Sequence, residues 1–213
     1  NAGPVLSSQT VAFIFATGKA TWFALTCENK PMDRLLPIVL AHLLLGTLAR
    51  GETVPKKIPA KLDHLDQWGQ WRGPLSTGEA LRGNPPLEWS EKKNLRWKTA
   101  IPGKGHASPI IVGNRIYQVT AIEEKKERLL LCIDRASGKE LWRKVVLKSP
   151  LERVHRLNSR ASSTPTSDGE RIYLSFLDKK KMFVAAYSLD GKMLWEVRPG
   201  VFSSIHGYCA SPV

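Results

Sequence analysis

The chain has 213 residues, of which 32 are Lys or Arg and 19 are Asp or Glu, for a formal net charge of +13. Its three cysteines are too few for a disulfide framework, and the absence of a Cys-x-x-Cys pair removes the simplest zinc and redox motifs. A basic surface favours polyanions such as acidic glycans, anionic headgroups or nucleic acid, but the lysines at 92–93, 125–126 and 179–181 fall in hairpin loops where solubilising charge sits, and no aromatic–basic interleaving of the RNA-binding kind is present.

In chain order, residues 1–31 precede Met32 and read as an upstream extension with no role in a mature protein. Met32-Asp33-Arg34, the charge-free run Leu35 to Leu48 and the small-residue exit Thr47-Leu48-Ala49 read as a secretory signal peptide over 32–49. The apolar core is shorter than the roughly 20 residues that span a bilayer, so no transmembrane span is expected in the mature chain; an uncleaved anchor is the alternative. Val11 to Cys27 is a second, weaker candidate, a lipoprotein signal interrupted by Gly18-Lys19. The expected location is outside the cytoplasm, periplasmic or extracellular. Residues 50–65, rich in Pro and Lys from Glu52 to Lys61, read as a flexible leader. The folded domain is expected over 66–213.

Within that domain the sequence repeats itself. Ser108 to Tyr117 (SPIIVGNRIY) is echoed by Thr164 to Tyr173 (TPTSDGERIY), and Ile133 to Trp142 (IDRASGKELW) by Tyr187 to Trp195 (YSLDGKMLW). Ser211-Pro212-Val213 opens a third copy. The landmarks Pro109, Pro165 and Pro212, and Trp97, Trp142 and Trp195, recur at intervals of about 45 to 56 residues, the spacing of propeller blades. Each unit predicts four strands: Pro109–Val112, Arg115–Thr120, Leu129–Ile133 and Glu140–Val145 in the first, with Glu123 to Arg128 as a solvated hairpin loop; then Arg171–Phe176, Met182–Ser188 and Met193–Val197 in the second. Gly138 and Gly191, with Asp134 and Asp190 ahead of them, mark the tight turns. The fold class is therefore all-β, a β-propeller of four-stranded antiparallel blades: two complete blades, a closing strand over 94–101 and the start of a third. The closing strand is expected to find its partners beyond residue 213, in a longer protein.

The pattern Asp-x-x-[Thr/Ser]-Gly-Lys-x-x-Trp, here Asp134 to Trp142, resembles the repeat of PQQ-like (quinoprotein-type) β-propellers, secreted bacterial members included. Leu189-Asp190-Gly191-Lys192 departs from it by lacking the Thr or Ser. Trp68 to Pro74, Gly103 to Pro109 and His206 to Pro212 also resemble family phrases. The resemblance implies either a non-catalytic binding or scaffold module or a PQQ-dependent dehydrogenase, with the fold alone unable to choose. A dehydrogenase implies pyrroloquinoline quinone, a calcium site built from carboxylates and amides, and an Asp base.

Three segments lead into inner strands and would meet at a channel mouth: Gly103 to Ser108, His155 to Thr164 and His206 to Ser211. They carry the candidate ligand-binding residues His106, His155, Arg156, Asn158, Ser159, Arg160, His206 and Tyr208; the alternative is that these side chains only satisfy their own loops. Nearby, Glu152 is the only carboxylate, so no metal set is assigned, no catalytic residue is named, and the cofactor is implied by the resemblance without residues to support it. The expected partner is a protein or a polyanionic ligand, not nucleic acid. Cys132 and Cys209 read as small buried hydrophobes rather than a disulfide pair. No nucleophile elbow, kinase signature or His-Glu-x-x-His helix is present.

Overall fold

In the computed structural model, residues 9–16, 19–20 and 63–213 are described. The expected signal peptide, Cys27 and nearly all of the leader lie outside them. The repeated halves each form a four-stranded antiparallel sheet connected in sequence order, as in a propeller blade. The first sheet contains β4 (Ile110–Val112), β5 (Arg115–Ile122), β6 (Glu127–Asp134) and β7 (Glu140–Lys148); the second contains β8 (Thr166–Ser167), β9 (Arg171–Asp178), β10 (Lys181–Ser188) and β11 (Met193–Val197). The predicted strands are all present, each within a few residues of its expected ends.

The first sheet is covered on both faces, so its central strands read as continuous apolar runs rather than alternating ones. Tyr117, Val119, Leu130 and Cys132 pack against Ile172, Leu174, Phe176 and Phe183 of the second sheet. The opposite face presents Ile116, Leu129, Leu131 and Ile133 to Ile101, Trp68 and Trp97. In the second sheet β11 is exposed along its whole length.

Two arrangements differ from the sequence reading. The strand expected to close a ring, β3 (Leu95–Ile101), pairs antiparallel with β1 (Gln9–Ala16), which turns back through β2 (Lys19–Ala20). An extended strand with an open edge carries a row of unpaired N–H and C=O groups, and any available strand can satisfy them. The motif at 68–74 does more than open the domain. Trp68 and Ile111 exchange backbone bonds of 3.1 and 2.9 Å, and Gly69 O accepts from Ser167 N at 2.7 Å, so this segment stitches together the inner edges of both sheets.

Arg128 is the main correction to the predicted elements. It belongs to β6, not to a solvated loop, and is wholly buried. The hairpin closes two residues earlier, at Lys126 with its left-handed backbone, which places Arg128 opposite Ala121 inside the sheet. Cys132 is buried as expected, whereas Cys209 is exposed; both are free thiols.

Candidate functional site

The long link between β7 and β8 and the segment after β11 meet at one end of the sheets. Asn158 Nδ2 donates to His206 O at 2.7 Å, and His155 N donates to the same carbonyl at 3.4 Å. The imidazoles of His155 and His206 face each other with centroids 5.6 Å apart, inclined at 53°. Between them the chain must pass very close: Gly207 has φ +91°, and a Cβ there would lie 2.8 Å from Val154 Cγ1 and 2.9 Å from Asn158 Nδ2. Glycine is required at that position both for the backbone angle and for the space. Three of the predicted residues, His155, Asn158 and His206, are therefore brought together.

The same link is anchored from beneath by a buried charge network. Arg128 Nη1 donates to Ser149 O at 2.7 Å and its Nη2 is ion-paired with Glu152. Arg160 turns inward, Nε to Glu152 O at 3.0 Å and Nη1 to Glu123 at 2.5 Å. Burial pushes the Glu152 carboxyl above the usual range, against the pull of Arg128. Ser149 Oγ donates to Asp178 at 2.5 Å and holds that carboxyl low. Arg128 Nε has no hydrogen-bond partner among the described residues. The sequence reading did not include Arg128 or Glu152 as a site element; the signal was an Arg two residues past the hairpin tip, in register with apolar strand neighbours.

The remaining candidates divide. His106 is exposed, with its backbone N–H on Ala161 O at 3.0 Å. Arg156 is exposed. Ser159 is buried and bonds Ser162. Tyr208 is buried behind the face, its hydroxyl 3.1 Å from Ser175 Oγ and its ring edge-on to Phe202 at 5.4 Å. Arg160 and Tyr208 thus hold the loops in place, whereas His106, His155, Arg156 and His206 face outward.

The donor set does not fit the calcium and quinone that the repeat implies. Two carboxylates lie beside the three segments and both are already paired: Glu152 with Arg128, and Glu123 with Arg160 and Lys104. Among the described residues no group of three or more His, Cys, Asp or Glu could hold a metal ion. What the face offers is hydrogen-bond donors: the three imidazoles of His106, His155 and His206 and the guanidinium of Arg156.

Sheets of this construction, with an Asp–Gly turn and an outer-strand Trp in each repeat, define a PQQ-like β-propeller. Residues 87–199 match the family model described as outer membrane protein assembly factor BamB, more than half of the chain, and the chain belongs to that PQQ-like repeat family. No curated protein matches. Similar solved structures include BamB from Moraxella catarrhalis, with TM-score 0.39 and 17% identity over 53% of this chain and 30% of that one. Another is a europium-containing methanol dehydrogenase, with TM-score 0.36 and 13% identity over 50% of this chain and 20% of that one. The chain covers less than a third of either protein's length.

Proposed function

We propose that this chain is a binding or scaffold module of an exported PQQ-like propeller, which takes a protein or polyanionic partner on the face formed by 103–108, 155–164 and 206–211. The observation that carries this reading is the character of that face. Its outward groups, His106, His155, Arg156 and His206, are donors, and its neighbouring carboxylates, Glu152 and Glu123, are both held in ion pairs. Such a set suits recognition of an anionic or polar surface, and its two carboxylates are committed to Arg and Lys side chains rather than gathered for the cation that a calcium-dependent dehydrogenase needs. The description of the matched family as an assembly factor accords with a role exerted through partners. Export rests on the sequence pattern Met32 to Ala49.

The test is photo-crosslinking of the full chain in its native host, with a photoreactive residue at His106 and, as a control at the opposite end of the sheets, at Lys139. Discrete protein adducts at His106 and none at Lys139 are expected. In parallel, the protein is incubated with calcium and pyrroloquinoline quinone. A quinone absorbance with dye-linked dehydrogenase activity, and no adduct at His106, overturns the binding role in favour of the oxidoreductase.

A further inference from the structure

We propose that the patch around His155 and His206 docks an extended acidic peptide, in which carboxylates alternate with apolar side chains. This rests on the binding role above and names its ligand.

The donors are preset. Leu157 N donates to His155 Nδ1 at 3.3 Å; a nitrogen that accepts carries no proton, so the neutral ring bears its proton on Nε2 and is itself a donor there. His206 is exposed beside it. Arg156, next in sequence to His155, is exposed and has no ion-pair partner among the described residues; the same holds for Arg153. Stretches 153–166 and 199–213 contain no Asp or Glu, so nothing in the two segments that meet here neutralises these groups. Their backbones are already fixed by Asn158 on His206 O at 2.7 Å and by the close passage at Gly207, which lowers the ordering cost of binding.

The flanks of the patch choose among anionic ligands. Leu157 and Ile205, chain neighbours of these donors, are 60% and 68% exposed. A free phosphate or sulfate would engage the donors and leave both apolar side chains in water. A nucleic-acid strand would call for exposed stacking aromatics, whereas the aromatics nearby, Phe202 and Tyr208, are packed on each other. A peptide that presents carboxylates to Arg156 and the imidazoles, with apolar side chains against Leu157 and Ile205, uses every exposed feature. Arg–carboxylate recognition is the strong, geometrically specific form of such contacts.

The experiment measures binding of the full chain to a fluorescein-labelled peptide of alternating Glu and Leu. Arg156→Glu changes only an exposed side chain, and near-UV circular dichroism checks its fold; the double variant His155→Ala with His206→Ala is the second probe. Affinity is expected to fall about tenfold or more with Arg156→Glu and with the double variant. It should fall similarly when Gln replaces Glu, or Ser replaces Leu, in the peptide. Absence of binding, equal binding of the Gln peptide, indifference to Arg156→Glu, or competition by inorganic phosphate as effective as by the unlabelled peptide overturns the proposal. If adducts at His106 persist while peptide affinity ignores Arg156→Glu, the acidic-peptide assignment falls and the binding role stands. If no adducts form, the binding role itself falls.

Discussion

The indole of Trp142 lies against Gly191 of the following sheet so closely that a Cβ there would stand 3.0 Å from the ring. One repeat earlier Trp97 and Gly138 stand in the same relation, at 2.4 Å, and Trp97 Nε1 donates to Arg135 O at 3.0 Å. Each repeat is thus registered on the next by an outer-strand Trp and a turn glycine. Trp195, the third member of the series, is 42% exposed.

Replacing the turn glycines separates strain from packing. Gly113, Gly138 and Gly191 all have positive φ, but only Gly113 has nothing within 4 Å of a built Cβ. Gly113→Ala is expected to cost about 1 kcal/mol for the left-handed backbone alone. Gly191→Ala and Gly138→Ala should cost that plus about 1–3 kcal/mol for overpacking against the indole. Urea unfolding of the three variants checks the order; equal losses would mean that the Trp–Gly contacts do not register the sheets.

The repeat also supplies its own control for a tyrosine. Tyr117 donates to Leu189 O across the sheets at 2.9 Å, beside Arg115, which bonds the same carbonyl at 2.8 Å. Its counterpart Tyr173 donates instead to Asp168 in its own repeat, at an exposed site. Tyr117→Phe should therefore cost about 1 kcal/mol, as a partly buried bond does, and Tyr173→Phe a few tenths. Denaturation midpoints of the two variants decide it.

Arg128→Met leaves Glu152 buried without its partner and should destabilise by about 3–5 kcal/mol, whereas adding Glu152→Leu should restore much of the loss. A double variant no more stable than Arg128→Met would show that the pair does not act as a unit. The readout is again equilibrium unfolding.

Asp178 provides a pH dependence of definite sign. Ser149 and Arg198, whose Nε lies 3.3 Å away, hold its folded pKa low. The stability this contributes is complete above the unfolded value of about 3.9 and is lost as pH falls through the lower folded value. Ser149→Ala should cost about 1 kcal/mol near neutrality and little in strong acid, flattening the acid limb of the stability curve. Unfolding free energies measured across that range test the slope.

Thiol chemistry separates the cysteines. Burial pushes Cys132 up to about 11 and encloses it, while Cys209 is exposed. Native alkylation followed by peptide mass mapping should label Cys209, with Cys132 reacting only in denaturant.

The repeat, its four strands and its turn glycines were legible in the amino-acid sequence because alternation and positive-φ turns are local properties. Trp142 and Trp195 stood out for the same reason. The candidate face was legible only as three loops, and the structure sorted their side chains. His155, Asn158 and His206 converge, while Arg160 and Tyr208 turn inward to bonds with Glu123 and Ser175, 37 and 33 residues back in the chain. Arg128 was misread because a charge is visible in a sequence, but its burial depends on where the hairpin closes and on Glu152, 24 residues on.

By itself, then, the sequence determined the kind of sheet, its period and its family, since these follow from residue spacing along one strand and one turn. Tertiary structure alone decided which loop residues face water and that β1 lies along β3. It also decided that Trp68 and Gly69 bind the inner edges of two sheets. Those outcomes depend on which unpaired backbone edges and buried charges come within reach of one another, and chain order carries no record of that.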